Sequence, residues 1–206
     1  MKLAYGSSKN GDVLEALKNI TEPAALFFSV ASEDMLEHAA NEIERVFPGV
    51  ASIGGVGQAY IGRQFFDAGI TVIAMKENIK VVADVLEQAS VMPVKYIRRL
   101  ETAIIAVGGE RGRTACFDIC SAGADVRAVT TLSNFLCRLG YDLAGGTSNS
   151  TAVACNGKVY KDACAFLLFK NLKGKIKSYK ENIYIQPQGN EKQFMVTKAE
   201  PRDYRI

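Results

Sequence analysis

The part of the sequence that most constrains the fold is residues 140–169, where a hairpin signal is followed directly by an apolar run. Asn156-Gly157 separates two short β-type stretches, and this dipeptide favours a two-residue turn with positive φ at both positions. The run at 163–169 is too short to cross a membrane and is typical of a strand buried on both faces. With the bend expected at Gly145-Gly146, the segment predicts strand, bend, hairpin and core strand in succession.

A weaker copy of this pattern lies upstream. Gly54-Gly55 follows Gly49 at the same spacing at which Gly145-Gly146 follows Gly140. The apolar stretches 26–30 and 103–107 also match, but at a shorter offset than the glycine pairs. The sequence therefore predicts two pseudo-repeats, at about 12–90 and 93–186, with about 14 additional residues in the second copy, at 108–123.

Apolar periodicity and capping residues predict the elements of each copy. Asp12, Ser32 and Asp125 are suited to capping helices, and Pro93 is suited to opening one that ends near residue 99. Strands are predicted at 24–30, 70–75, 79–86, 103–107, 176–185 and 194–198. The fold class is α+β, built from two β-α-β-β-β-like pseudo-repeats with mixed, largely antiparallel sheets and amphipathic helices packed on them.

Composition narrows the class of protein. A hydrophobic content of 48% with 23% charged residues indicates a compact unit, and a net charge of +3 is too small to indicate nucleic-acid binding. The first residues lack the apolar segment of a secretory signal, and the five cysteines have no zinc-type pair spacing. These features favour a reducing, cytoplasmic location with no membrane contact by this part of the chain.

The single histidine, His38, falls away from the apolar stripe of its predicted helix, so we expect it to face water. This placement argues against a serine–histidine hydrolase. It also argues against a metal or haem ligand, unless a partner chain contributes to the site. We therefore expect no metal and no cofactor.

The region 108–123 is the first candidate site, because loops on a rigid scaffold commonly carry function. Its candidate ligand-binding residues are Arg111, Arg113, Thr114 and Asp118. Arginine pairs carboxylates and phosphates bidentately, whereas a solvated turn is the structural alternative. The second candidate group follows the predicted bend and suits hydrogen bonding to a small polar ligand; it consists of Gly145, Gly146, Thr147, Ser148 and Asn149.

Cys116 and Cys120 offer a different chemistry. They would meet as i and i+4 residues if the segment were helical. A redox thiol or a cysteine nucleophile is thus an open alternative, but no histidine lies near them in sequence to form a thiolate pair. The sequence favours a binding module over an enzyme.

Three stretches resemble the N-terminal part of the FIST family of bacterial sensory domains. They are residues 143–147, the hairpin at 156–163 and residues 193–199, and the likeness covers nearly the whole chain. The resemblance implies a domain at 1–192, with 193–206 beginning a C-terminal half.

For function, the resemblance implies an intracellular module that binds small molecules such as amino acids. It would be joined to an output domain of the methyl-accepting chemotaxis or kinase type. Some relatives are said to bind haem. Two further alternatives stay open, namely a ligand site at the junction with the C-terminal half and a homodimer.

Overall fold

The computed structural model describes residues 1–61 and 64–178. Its helices are α1 (Val13–Leu17), α2 (Glu33–Val46), α3 (Ile97–Val107) and α4 (Asp125–Leu139), with a 3₁₀ turn at Pro93–Tyr96. Its strands are β1 (Lys2–Ser8), β2 (Ala25–Val30), β3 (Ala51–Val56), β4 (Ala59–Ile61), β5 (Gln64–Phe66), β6 (Ile70–Lys76), β7 (Ile79–Glu87), β8 (Thr114–Cys120), β9 (Asp142–Thr147), β10 (Ala152–Cys155), β11 (Lys158–Lys161) and β12 (Ala163–Asn171).

The described elements stack in four layers, with two sheets between two pairs of helices. The first sheet has the order β1-β6-β2-β3-β10-β11, the second has β7-β12-β8-β9, and β4 and β5 pair separately. Helices α1 and α2 pack on the outer face of the first sheet, and α3 and α4 pack on the outer face of the second. A third apolar cluster joins the inner faces of the two sheets. Both faces of the central strands are therefore buried, as the apolar run at 163–169 predicts.

The two sheets repeat one strand arrangement. Strands β1, β6, β2 and β3 have the same order and directions as β7, β12, β8 and β9: two antiparallel pairs followed by a parallel pair. A helix lies between the first and second strands of each set in sequence, and another connects the parallel pair. The predicted α+β class with mixed, largely antiparallel sheets is confirmed. The two strand sets divide between β6 and β7, so the predicted repeat bounds of about 12–90 and 93–186 do not coincide with them.

The β10–β11 hairpin forms around the predicted turn. Cys155 pairs with Lys158, and Asn156 and Gly157 have φ values of 47° and 75°, as a type I′ turn requires. The hairpin follows β9 in sequence but adds to the edge of the first sheet, where β10 pairs with β3. It therefore ties the second repeat to the first.

Local signals explain the first two helices. The Asp12 side chain accepts a hydrogen bond from the Glu15 backbone N–H at 3.1 Å, which caps α1 as predicted. Helix α2 buries four residues of its apolar stripe (Leu36, Ala39, Ala40 and Ile43). It ends just before Pro48, which cannot continue a helix. No helix in 1–61 or 64–178 is long and apolar enough to span a bilayer.

The predicted strand at 103–107 is wrong, because these residues form the end of α3. Their β-branched and apolar side chains resemble a core strand in sequence. In the structure, Leu100, Ala103 and Val107 are buried at helical spacing, whereas Ile105 is 80% exposed. The helix that begins after the Pro93 turn therefore runs eight residues beyond its predicted end.

The predicted surplus at 108–123 is also wrong. Its central part is β8, which is the counterpart of β2. The misplaced strand at 103–107 created the apparent insertion, because it aligned β2 with part of a helix.

The predicted strands at 176–185 and 194–198 extend beyond residue 178 and lie almost wholly outside the described residues, as does the domain boundary at 192. The division into 1–192 and 193–206 stays a prediction.

Candidate functional site

The carboxyl ends of the two parallel strand pairs meet at one end of the sandwich. Strands β2 and β3 end at Val30 and Val56, and β8 and β9 end at Cys120 and Thr147. The Val56 N–H donates to Ser148 Oγ at 3.0 Å, and the Asn149 N–H donates to the Val56 carbonyl oxygen at 2.7 Å. Ligands of α/β sheets commonly bind beyond the carboxyl ends of parallel strands, so this end of the sandwich is a candidate binding site.

An open space of about 510 Å³ lies between the sheets and extends along the strands to this end, and we call it the inter-sheet cleft. Its walls are mostly apolar and come from both sheets: Leu3, Tyr5, Phe27, Ile73 and Met75 from the first, and Phe117, Ile119 and Phe169 from the second. The Phe117 and Phe169 rings pack with centroids 5.2 Å apart. Ser29 and the backbone of β9 supply polar groups.

A second concavity of about 500 Å³, the α4–β9 groove, lies on the other face of β9. It is more acidic than the cleft, because Asp118, Asp125 and Asp142 line it. Thr147 Oγ1 donates to Asp125 Oδ2 at 3.3 Å. Among the described strands, β9 is the outer strand of its sheet, and it separates the two concavities.

Four of the nine predicted ligand-binding residues lie together. Gly145, Gly146 and Thr147 on β9 and Asp118 on β8 line both the cleft and the groove. Ser148 lies nearby, but its hydroxyl is buried and donates to the Ala152 carbonyl oxygen at 3.0 Å. Asn149 is exposed, and its backbone N–H bonds to β3.

The other three predicted residues lie at the opposite end of β8. Arg111 is exposed, and its side chain lies against Gly140 at the end of α4. Arg113 donates to the carbonyl oxygens of Asn171 and Leu172, where it holds the end of β12. Thr114 is buried, and its hydroxyl accepts the Glu110 N–H at 2.8 Å. The nine residues therefore do not form one site, because the extended β8 separates the arginines from Thr147.

Beneath the groove, sequence analysis missed a buried polar cluster. The thiols of Cys120 and Cys164 donate to Asp118 Oδ2 at 3.4 and 3.9 Å, and the two sulfurs lie 3.0 Å apart. These three ligand-type atoms lie within 4.8 Å of one another and form the one potential metal-holding group found among the described residues. Cys116 and Cys120 lie on one face of strand β8, so the helical i, i+4 contact considered from the sequence does not form.

Burial sets the protonation of this cluster. Desolvation raises the pKa of the Asp118 carboxyl to about 6, although hydrogen bonds from the two thiols act in the opposite direction. Burial raises the pKa of Cys116 well above its usual value, and the bond from Cys120 and burial do the same for Cys164. Nucleophilic cysteines usually have lowered pKa values and partial exposure, so these thiols are poorly suited to that role.

His38 is exposed on α2, as predicted.

The family model described as FIST N domain matches residues 24–206. The chain belongs to the FIST family, which is a family of sensory domains in signal-transduction proteins.

Among solved structures, the chain is similar to a cyanuric acid hydrolase from A. caulinodans. The sequence identity is 12% and the TM-score is 0.41, with 84% of this chain and 71% of that chain covered. A likeness this low bears on neither fold nor activity. No curated protein sequence matches the chain at a significant level.

Proposed function

We propose that the chain senses a small amino acid or carboxylate with an apolar body, which binds in the inter-sheet cleft. The observation that carries this proposal is the apolar cleft between the two sheets, which reaches the carboxyl ends of the parallel strands. In the intact protein, the bound state would be passed to an output domain, for example of the methyl-accepting chemotaxis type. The setting is cytoplasmic and bacterial, and a homodimer is one arrangement in which the module could act.

The walls of the cleft support the apolar part of this ligand. Its volume of about 510 Å³ is within the range of small-molecule sites, which are mostly apolar with a few placed polar groups. Tyr5 is 65% exposed and Leu3 is 48% exposed. Covering these side chains with a ligand would remove apolar surface from water, which favours binding.

The polar end groups of the ligand have partners at one side of the cleft. Ser29 supplies a hydroxyl, and the outer edge of β9 supplies backbone groups that are unpaired by strands in the described part of the chain. Gly57 lies close to Ser29, and a Cβ there would be 2.9 Å from the hydroxyl oxygen. Backbone N–H groups and a hydroxyl are suited to bind a carboxylate. These groups take the role that the sequence-based hypothesis gave to the two arginines.

The position of the cleft also suits signalling. Its walls come from both sheets, so a ligand held there contacts both repeats at once. A ligand shifts a conformational equilibrium only by its differential affinity for the two states. If the two sheets change their separation, a ligand that contacts both sheets binds the two conformational states with different affinities.

Gly146 allows a sharp test. A Cβ at Gly146 meets no atom within 4 Å, and strand alternation directs it to the cleft side, opposite Gly145. The Gly146→Leu variant should therefore fold normally and fill the cleft. We expect a thermal-shift and calorimetric screen of apolar amino acids and small carboxylates to give a ligand whose Kd rises more than about tenfold in this variant.

Two controls complete the test. Lys161→Leu places the same side chain at an exposed position on another edge strand, β11, and should leave Kd unchanged. Arg111→Ala should also leave Kd unchanged. A ligand that binds Gly146→Leu as tightly as the parent chain, or that is lost in Arg111→Ala, would refute the cleft assignment.

The two alternatives raised by the sequence have less support. Haem ligation would rest on His38, which is exposed on α2 and is the only histidine. Cysteine-dependent catalysis would rest on Cys116 or Cys120, which are both buried. Membership of a sensory family does not favour haem ligation or cysteine-dependent catalysis over the binding of a small ligand.

A further inference from the structure

The two repeats provide an internal comparison at the buried cluster. Pairing in the sheets makes Asp118 the counterpart of Phe28, since they face Gly145 and Gly54, respectively. The cross-strand pair Cys120–Cys164 is likewise the counterpart of Val30–Ile70. The first repeat thus fills these three places with hydrocarbon, whereas the second places a carboxylate and two thiols there.

We propose that Asp118, Cys120 and Cys164 form a binding site for a thiophilic divalent cation, with Zn²⁺ as the preferred ion. Two thiolates favour Zn²⁺ over Mg²⁺ or Ca²⁺, which prefer oxygen ligands. A structural reason for the cluster is hard to find, because hydrocarbon packs the same positions in the first repeat. This proposal does not rest on the small-molecule function: Cys120 and Cys164 pack on the helix-facing side of the second sheet, and Asp118 is the one ligand that also borders the cleft.

The geometry is close to one face of a tetrahedron. With Zn–S near 2.3 Å and Zn–O near 2.1 Å, tetrahedral edges are about 3.8 Å for S–S and about 3.6 Å for S–O. The observed separations are 3.0 Å for S–S and 3.4 and 3.9 Å for S–O. Small side-chain rotations would bring the S–S separation into line.

Two ligands spaced i, i+2 on one strand lie on the same face, and the third comes from the neighbouring antiparallel strand. The sheet therefore holds all three ligands in place. Binding would release the thiol protons to solvent, and the two thiolates and the carboxylate would hold the ion.

The fourth position would open to the α4–β9 groove. Asp118 lines this groove, and Gly145 lies against its carboxylate, where a Cβ would be only 2.2 Å from Oδ1. Asp118 is buried, but the lack of a side chain at Gly145 leaves the backbone of β9 as the layer between its carboxylate and the groove. Three protein ligands with one open position is the arrangement in which zinc keeps a water or an exchangeable ligand.

The experiment uses the 206-residue chain, reduced with a phosphine and stripped of metal by a chelator. Cd²⁺ serves as the probe, because its thiolate complexes absorb in the ultraviolet and Zn²⁺ can then be added to displace it. We expect absorbance to saturate at about one Cd²⁺ per chain and to decrease when Zn²⁺ is added in large excess. Measurements are repeated in Cys137→Ser, which removes the exposed thiol.

The variants separate this site from adventitious binding. Loss of an outer-shell group weakens metal sites by about 10–100-fold, so Cys120→Ser and Cys164→Ser should each weaken Cd²⁺ binding by about 100-fold or more. Cys155→Ser removes a buried thiol in the first sheet and should change nothing. The triple change Asp118→Phe, Cys120→Val and Cys164→Ile installs the residues of the first repeat and should abolish binding in a chain that still folds.

Two results would overturn the proposal. One is absence of thiolate absorbance at equimolar Cd²⁺ in the reduced parent chain. The other is Cd²⁺ binding that persists in Cys120→Ser and Cys164→Ser but is lost in Cys137→Ser. Because the readout is metal absorbance, failure here leaves the test of the inter-sheet cleft unaffected.

Discussion

The two repeats place a Gly-Gly pair at the same point of their sheets but surround it differently. In the first repeat, β3 lies between β2 and β10, and Gly54 faces the ring of Phe28, which is 1% exposed. In the second, β8 is the one described strand that pairs with β9, and Gly145 faces the carboxylate of Asp118. One backbone arrangement therefore forms closed core in one half, whereas in the other an exposed glycine strand covers a buried carboxylate.

This difference shows where function can develop in a duplicated fold. The β10–β11 hairpin covers the edge of the first sheet and buries nearly all of β3, whereas the last four residues of β9 are exposed. An exposed strand can accept polar groups at little cost in stability. Both concavities accordingly border β9, whereas the buried cluster of Asp118, Cys120 and Cys164 lies beneath the groove on β8 and β12.

The largest expected effect comes from truncating the first-repeat member of this comparison. Phe28→Ala should lower the free energy of unfolding by about 3–5 kcal/mol, because it leaves a cavity between α1, α2 and the sheet. Asp118→Ala at the equivalent place should cost much less, since it removes a buried carboxylate together with its desolvation penalty. Urea unfolding measures both values.

Phe28→Leu serves as a second variant, with a smaller loss, if Phe28→Ala does not fold. Equal losses for Phe28→Ala and Asp118→Ala would show that the two positions are packed alike, contrary to the comparison.

A second effect concerns pH and belongs to the second repeat alone. The pKa of Asp118 is raised from 3.8 to about 6, so the folded chain binds this proton more tightly than the unfolded chain. Ionisation therefore opposes folding, and stability should fall as pH rises from about 4 to about 6, with the penalty constant above that range. A pKa shift of this size corresponds to a loss of about 3 kcal/mol in the free energy of unfolding.

The measurement compares the parent chain with Asp118→Asn, because other groups also titrate. With chelator and reductant present, the free energy of unfolding of the parent chain should fall by about 3 kcal/mol more than that of Asp118→Asn between pH 4 and pH 7. Parallel stability curves for the two proteins would mean that the carboxylate is solvated.

Local sequence signals predicted much of this architecture. The Asn156-Gly157 turn, the Asp12 cap and the apolar run in β12 have short-range physical causes, so they could be identified without the fold. The assignment failed at residues 103–107, where the apolar content fits both a strand and a helix and only tertiary packing distinguishes them.

The site was harder to predict than the fold. Asp118 and the β9 glycines were identified, but the direction in which the arginines point depends on where β8 begins. Cys120 and Cys164 are 44 residues apart in sequence, and strand register alone brings their sulfurs together. Register between distant strands is set by the whole sheet and is not encoded in either segment.

The smallest expected effect distinguishes the second glycines of the two pairs. A Cβ at Gly55 would lie 2.3 Å from Ile119 Cδ1 and 3.3 Å from Ser148 Cβ, whereas at Gly146 it meets nothing within 4 Å. Gly55→Ala should therefore cost about 1–3 kcal/mol through overpacking between the sheets. Gly146→Ala should change stability by no more than about 0.5 kcal/mol, because it adds a methyl group to an exposed edge strand. Urea unfolding of both variants under one condition gives the difference, and a loss at Gly146 as large as that at Gly55 would mean that β9 is covered in the folded chain.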